Sequence, residues 1–478
     1  MRLYLVLLCL GSMIALVNAD TLHSISFIHR HGARTSLGLV DGRATCSAPF
    51  CHLTKAGIRM CLAVGTTIRE AYFDRLGLTG IPYNVSYVHS ESTEVPRVVI
   101  SGEAAVMGMW PDSLPFVDYV PAKDDIWLSP WTAAPTWKIR GQYDVIEARV
   151  NNALLYESVG NETLQLIASM TGLHCDVNPI ECINYAQDVL AANASAGLPL
   201  NPELAAKWDD LRSGVARFMA ALLAYDPADE YNRQVGSFGK PQADKMLANI
   251  QQGGLHKVHH YAAHDWSLMA LYGALGVWTP VDYDNERFVP RFAETLVLEE
   301  HRMDGKVYIK AMWGRPNQTL VEHYTMRLAP EKLQCIDANG RNYTSLEDEK
   351  GCLLEDMWRY VNTTAPQSPA GQCYATEDMF RRHDCLNSTA APAEDSRCYF
   401  YRLKCPAADC AMIPGAVADI AQGLACVVPT VTHSNYMTTT VIALVAPFAL
   451  FGAIGGFYGT RRLFGRKADL DESTPIAK

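Results

Sequence analysis

The chain has 478 residues, 49% of them hydrophobic and 19% charged, with a formal net charge of −10. That length suffices for one sizeable core with an inserted subdomain, or for two domains. The acidic balance argues against a nucleic-acid-binding surface and makes a local cluster of arginines stand out.

Residues 1–19 read as a secretory signal peptide. Arg2 is the positive n-region, Leu3 to Val17 the apolar h-region, and Val17-Asn18-Ala19 a small-residue cleavage site. Leu22 to His29 is largely apolar and β-prone, which predicts a buried strand. It runs directly into Arg30-His31-Gly32-Ala33-Arg34-Thr35. Two guanidinium groups around one imidazole repel unless an anion sits between them. A planar guanidinium matches phosphate oxygens in a bidentate fork, and strand ends are where α/β folds place ligands. The histidine, read alone, is a candidate base, metal ligand or nucleophile; the flanking cations disfavour a metal ion and favour attack on a phosphoryl group.

Leu53-Thr54-Lys55-Ala56-Gly57 opens a helix with Thr54 as N-cap, running to Leu76 and ending at Gly77. Tyr83 to His89 alternates as a strand, Ser90 to Pro96 reads as a polar loop, and Ser101 to Trp110 as a helix. From residue 111 to 254 helical stretches dominate (143–157, 164–170, 184–194 and 205–224), which predicts a mainly helical insert. Lys257 to Ala262 returns to a strand, followed by His264-Asp265 and a helix over 267–275; 295–299 and 306–312 form a hairpin across Met303-Asp304-Gly305.

Fourteen cysteines occur, and thirteen remain once Cys9 leaves with the leader, so at least one thiol is free or paired with another chain. Cys175 and Cys182 are a candidate local pair; a zinc site at Cys405 and Cys410 is disfavoured in an oxidising compartment. Glycosylation sequons stand at Asn84, Asn161, Asn193, Asn317, Asn342, Asn362 and Asn387. Met437 to Tyr458 is uncharged and long enough to span a bilayer. Arg461, Arg462, Arg466 and Lys467 follow it, which predicts a type I protein with a cytosolic tail.

The Arg30–Arg34 turn, the Leu53-Thr54-x-x-Gly57 helix start, Arg97 after Ser92-Thr93-Glu94, and His264-Asp265 resemble the histidine acid phosphatases, in that family's chain order and across roughly residues 20–345. The order of segments also resembles membrane-bound acid phosphatases of kinetoplastid protozoa. The resemblance implies an α/β fold with a phosphoglycerate-mutase-like doubly wound sheet. Its implied organisation is signal peptide 1–19, phosphatase domain 20–345 with helical insert 111–254, Cys-rich membrane-proximal region 346–435, transmembrane helix 437–458 and tail 459–478. It implies His31 as the nucleophile, Arg30, Arg34, Arg97 and His264 as phosphate-binding groups, and Asp265 as general acid, with no cofactor and no metal.

The chain departs from the family pattern in three places. Glu91 and Glu94 flank Ser92-Thr93, Val98 stands where a threonine follows the arginine, and Thr35-Ser36 lacks a proline. None removes a catalytic group. A metallohydrolase built on His29, His31, His259, His260, His264 and Asp265 is disfavoured by the adjacent arginines. The expected substrates are small phosphomonoesters, with inositol polyphosphates as the alternative. A non-catalytic receptor for phosphorylated ligands is the rival of another class. The acid must carry its proton when substrate binds, which predicts activity under acidic conditions. The expected address is the endosomal or lysosomal membrane or the cell surface, and a homodimer is the expected partner state.

Overall fold

The structure is a computed structural model and describes residues 20–47, 50–122, 124–129, 159–223, 225–252, 256–278, 289–317, 324–376, 397–405, 410, 415–419 and 425–427. The expected signal peptide 1–19, the Met437–Tyr458 span, the 459–478 tail, the 143–157 helix and Asn387 lie outside these residues. Among the described residues, no helix is long and apolar enough to cross a membrane.

An eight-stranded mixed sheet organises the fold. Its centre is β1 (Thr21–Arg30), whose last seven residues are buried. A small hairpin, β2 (Gly38–Val40) with β3 (Arg43–Thr45), follows it. Then come β4 (Val88–Thr93), β5 (Asp118–Val120), β6 (Val258–Ala263), β7 (Thr295–Met303), β8 (Lys306–Pro316) and β9 (Met326–Glu331). A second hairpin, β10 (Gln334–Ile336) with β11 (Asn342–Thr344), precedes β12 (Cys352–Leu353). The sheet order is β12-β8-β7-β1-β6-β4-β5, with β9 paired to β8. Strands β1, β6, β4 and β5 run parallel, whereas β7, β8, β9 and β12 pair antiparallel. Arg30 stands opposite Ala263, and Ser92 opposite Ala262. The carboxyl ends of three neighbouring parallel strands therefore open onto one place, beside the line where the sheet changes from parallel to antiparallel.

Helices cover both faces, as parallel strands require. On one side α1 (Lys55–Leu76) and α2 (Pro96–Met109) bury Met60, Val64, Ile68, Ala104 and Val106. On the other lie insert helices α3 (Asn161–Thr171), α4 (Pro179–Ser195), α5 (Pro202–Ala205), α6 (Trp208–Leu223), α7 (Glu230–Val235) and α8 (Lys240–Gln251). They are joined there by α9 (Asp265–Ala274) and α10 (Leu354–Thr363). Leu190, Val215, Met246, Leu268 and Met357 share this second core.

Several expectations need correction. The 83–89 strand is Val88–Thr93 instead: Asn84 accepts the Ser86 N–H at 2.8 Å and turns the chain. Residues 90–93, expected as a polar loop, are buried strand, because Ser90 pairs with His260 and Glu91 with Lys245. The 101–110 helix begins at Pro96, a residue suited to the first turn. The 205–224 helix starts at Trp208, with Ala205 closing a separate short helix. The main fold also runs past residue 345: β12 pairs with β8, and Cys335 bonds Cys352.

Disulfides join Cys46–Cys51, Cys175–Cys182, Cys335–Cys352, Cys373–Cys405 and Cys410–Cys426. Among the described residues the free thiol is Cys61, which is buried. Of the sequon asparagines, Asn84, Asn161, Asn317, Asn342 and Asn362 are exposed and Asn193 is half-buried.

Candidate active site

The turn after β1 is locked from both sides. The His31 N–H donates to Ala263 O (2.8 Å), and the His31 carbonyl accepts from Ala293 N (3.1 Å). Thr54 Oγ1 donates to Ala33 O (2.9 Å) and accepts from Gly57 N (3.1 Å), so one hydroxyl caps α1 and ties it to the turn. A Cβ on Gly32 would sit 2.2 Å from Gly57 O, and one on Gly57 would sit 2.1 Å from Ala33 O. The two glycines are needed because two backbones touch.

A cavity of about 360 Å³ lies at the strand ends, lined by Arg30, His31, Arg34, Arg97, His264 and Asp265 among others. All six residues singled out in the sequence thus meet in one place, although the helical insert separates the first four from the last two along the chain. Arg30 Nη2 pairs with Asp265 at 2.8 Å, its Nη1 donates to Pro290 O, and its guanidinium lies 4.4 Å over the Phe292 ring. Arg34 makes a buried two-pronged pair with Asp188 at 2.6 and 3.1 Å. Arg97 reaches in from the first turn of α2, its Nη1 3.7 Å from Cys46 Sγ. The Nε atoms of all three arginines are buried and have no hydrogen-bond partner among the described residues. Burial, with the nearby Arg34 and Arg30, pulls Arg97 down to about 10, so it stays cationic at physiological and acid pH.

His31 Nδ1 lies 2.9 Å from the carbonyl oxygen of Gly32. A carbonyl can only accept, so Nδ1 carries the proton and Nε2 keeps its lone pair. Burial first, then Arg97, Arg30, His264 and Arg34, hold His31 well below the usual histidine range. Its imidazole therefore stays neutral and nucleophilic in acid. His264 is pushed down by burial and the same arginines, and its Nε2 lies 3.1 Å from Thr93 Oγ1. Asp265 opens α9, its Oδ1 accepting Trp266 N at 3.0 Å. A neutral imidazole nitrogen, three cations and a carboxyl group around one small cavity can take up a phosphoryl group, hold its spreading charge and move a proton to or from a departing oxygen.

His29 and His260 are buried behind the site, Nε2 to Nε2 at 3.0 Å, with His29 Nδ1 donating to Arg30 O and Ser90 donating to His260 Nδ1. These are packed structural histidines. Among the described residues no group of three or more His, Cys, Asp or Glu side chains is placed to hold a metal ion. Sequence reasoning missed Asp188 and Ser101, whose signals are non-local. A larger cleft of about 790 Å³, lined by Phe73, Tyr83 and Trp110, lies where α1 and α2 end, away from the strand ends and without a histidine or cysteine.

No protein-family model matches the chain. In sequence it is similar to the lysosomal acid phosphatase of Bos taurus, 26% identical over 284 residues that cover 54% of this chain and 64% of that protein. It is also similar to the testicular acid phosphatase of Homo sapiens, 26% identical over 291 residues covering 53% and 63%. The chain thus matches less than two thirds of the length of these relatives. In fold it is similar to Hafnia alvei phytase in complex with tartrate (TM-score 0.53, 15% identity, 72% of this chain and 97% of that one). The phytase from Citrobacter braakii is similar too (TM-score 0.53, 15% identity, 75% and 100%).

Proposed function

We propose that this chain is a histidine acid phosphatase that hydrolyses small phosphate monoesters through a phosphohistidine. The observation that carries the reading is the His31 tautomer: Nδ1 is spent on Gly32 O, so Nε2 is the available nucleophile inside a ring of three arginines. In the first step Nε2 attacks phosphorus, the bond to the leaving oxygen breaks, and Asp265 gives that oxygen its proton. In the second step water attacks phosphorus, its proton passes to the Asp265 carboxylate, and the P–N bond breaks to return the lone pair to Nε2. Splitting one displacement into two lowers each barrier. Arg30, Arg34, Arg97 and His264 hold the phosphoryl oxygens throughout.

Inositol polyphosphates are the second reading, and one observation favours it. A compartment of about 230 Å³ shares Arg30, Gln187 and Val289 with the main cavity and adds Arg212 and Arg291. Against it, the main cavity has no cation besides its three arginines among the described residues. Several disulfides and exposed sequons support a lumenal or extracellular domain. The apolar run 437–458 supports a type I anchor. The lysosomal relatives support an endosomal or lysosomal address. The test is rapid-quench phosphorylation with labelled p-nitrophenyl phosphate. Wild type should give an acid-labile phosphoenzyme and turn over, whereas His31→Ala should give neither. Turnover by His31→Ala, or loss of wild-type activity to a strong chelator, refutes the mechanism; a panel including inositol hexakisphosphate separates the two substrate readings.

A further inference from the structure

Asp188 has no part in the chemistry above, yet it is firmly held on the cavity wall. It projects from α4, is buried at 6% exposure, and lines the cavity. Its Oδ1 takes Arg34 Nη2 at 2.6 Å, and its Oδ2 takes both Arg34 Nη1 (3.1 Å) and the Leu37 N–H (2.8 Å). Arg34 Nη1 also donates to Thr35 O. Two carboxylates therefore face three guanidinium groups, and they are held differently. Asp265 meets Arg30 through one ion-pair contact, which an incoming phosphate oxygen can replace. Asp188 is fixed by a fork and a backbone N–H, so it stays when an anion enters. Arg97 has no carboxylate partner among the described residues.

We propose that Asp188 is a positioning residue that sets phosphate affinity. It aims Arg34 and offsets part of its charge, so that the cavity grips one phosphate without retaining the product. This inference rests on the phosphatase reading of the site. A fixed negative charge within a few ångströms of a bound dianion weakens ground-state binding by about tenfold or more at an effective dielectric near 20. It does so for substrate and released phosphate alike, which keeps product release fast. In Asp188→Asn an amide N–H would face an Arg34 N–H, and the fork would open with Arg34 released toward the cavity.

The experiment is calorimetric titration of inorganic phosphate into detergent-solubilised full-length protein, with p-nitrophenyl phosphate turnover measured on the same samples. Asp188→Asn should bind phosphate about tenfold more tightly, with kcat lowered as release slows. Asp188→Glu, which keeps the charge, should stay close to wild type. Asn184, one helical turn earlier on α4, lines the same cavity; Asn184→Asp adds a carboxylate and should weaken phosphate binding. A merely structural role predicts weaker binding in Asp188→Asn, so unchanged or weaker affinity there overturns the inference. If that variant fails to fold, Asn184→Asp decides: unchanged or tighter binding overturns it. Wild type that neither binds phosphate nor turns over refutes the phosphatase reading, and this inference falls with it. Wild-type turnover with the wrong sign in the variants refutes the inference alone.

Discussion

Arg30 holds Asp265 in an ion pair of 2.8 Å, so the residue next to the proposed nucleophile grips the proposed acid. A phosphate oxygen that takes Arg30 must displace this carboxylate, leaving it beside the leaving oxygen. Asp265→Asn should therefore still bind phosphate, because Arg30 is freed. It should lose about 10²- to 10⁴-fold in kcat on alkyl phosphates, whose leaving oxygen needs the proton. The loss should be much smaller for p-nitrophenyl phosphate. Comparing kcat for the two leaving groups checks this; equal losses would count against Asp265 as the acid.

Ser101 ties the two halves of the arginine set together. Its buried hydroxyl accepts the Gly32 N–H at 3.1 Å and donates to Arg97 O at 2.7 Å, linking the nucleophile's turn to the first turn of α2. Ser101→Ala leaves the Gly32 N–H unpaired in the interior, at a cost of about 1–3 kcal/mol. It should also loosen the spacing between His31 and Arg97. The expected outcome is a lowered melting temperature together with a raised KM, measured by thermal unfolding and steady-state kinetics.

Gly32 and Gly57 should be jointly intolerant. A methyl on either meets backbone of the other segment at 2.2 or 2.1 Å, and backbone cannot swing aside as a side-chain tip can. Gly32→Ala and Gly57→Ala should each cut activity sharply, and neither should be rescued by shrinking a nearby side chain such as Leu53. Soluble expression and kcat/KM of the single and double variants check it.

Cys61 gives a chemical test of the core. Burial pushes its thiol up to about 12, and it lies in the apolar layer under α1. Native protein should leave Cys61 unmodified by iodoacetamide, and denaturation without reductant should expose it, as peptide mass spectrometry would show.

How much of this was legible in the sequence follows from what kind of signal each feature leaves. The helix from Thr54 to Gly77 was readable because cap, periodicity and terminal glycine are local. The Arg30–Arg34 turn and His264-Asp265 were readable because chemistry concentrates in a few adjacent residues. Strand β4 was misplaced because Val88–Thr93 is polar by composition, and only its partners (His260, Lys245, His264) explain its burial. Asp188 left no trace, since its meaning lies in Arg34, 154 positions away.

Acid should destabilise the fold that acid is proposed to serve. Burial lowers His29 to about 4, against its hydrogen bond to the Arg30 carbonyl, which raises it. Burial with the neighbouring His256 and His89 lowers His259 to about 3. His31, His260 and His264 are lowered too, by burial above all. In the unfolded chain each takes up a proton near pH 6.5, whereas in the folded chain it does not. Stability is therefore full above about pH 6.5 and falls below it, by about 1.4 kcal/mol per pH unit per histidine until each folded value is reached. For His29 alone the loss amounts to about 3 kcal/mol by pH 4. Glu294 and Asp125, raised by burial, act in the opposite sense, gaining stability as the pH falls from their raised values toward 4.5 and 3.8. The melting temperature should fall steeply from neutral to mildly acid pH, with net uptake of more than one proton on unfolding. Inorganic phosphate, bound only by the folded arginine cluster, should recover part of the loss. Scanning calorimetry across pH, with and without phosphate, checks both; a melting temperature flat over that range would contradict the buried neutral histidines.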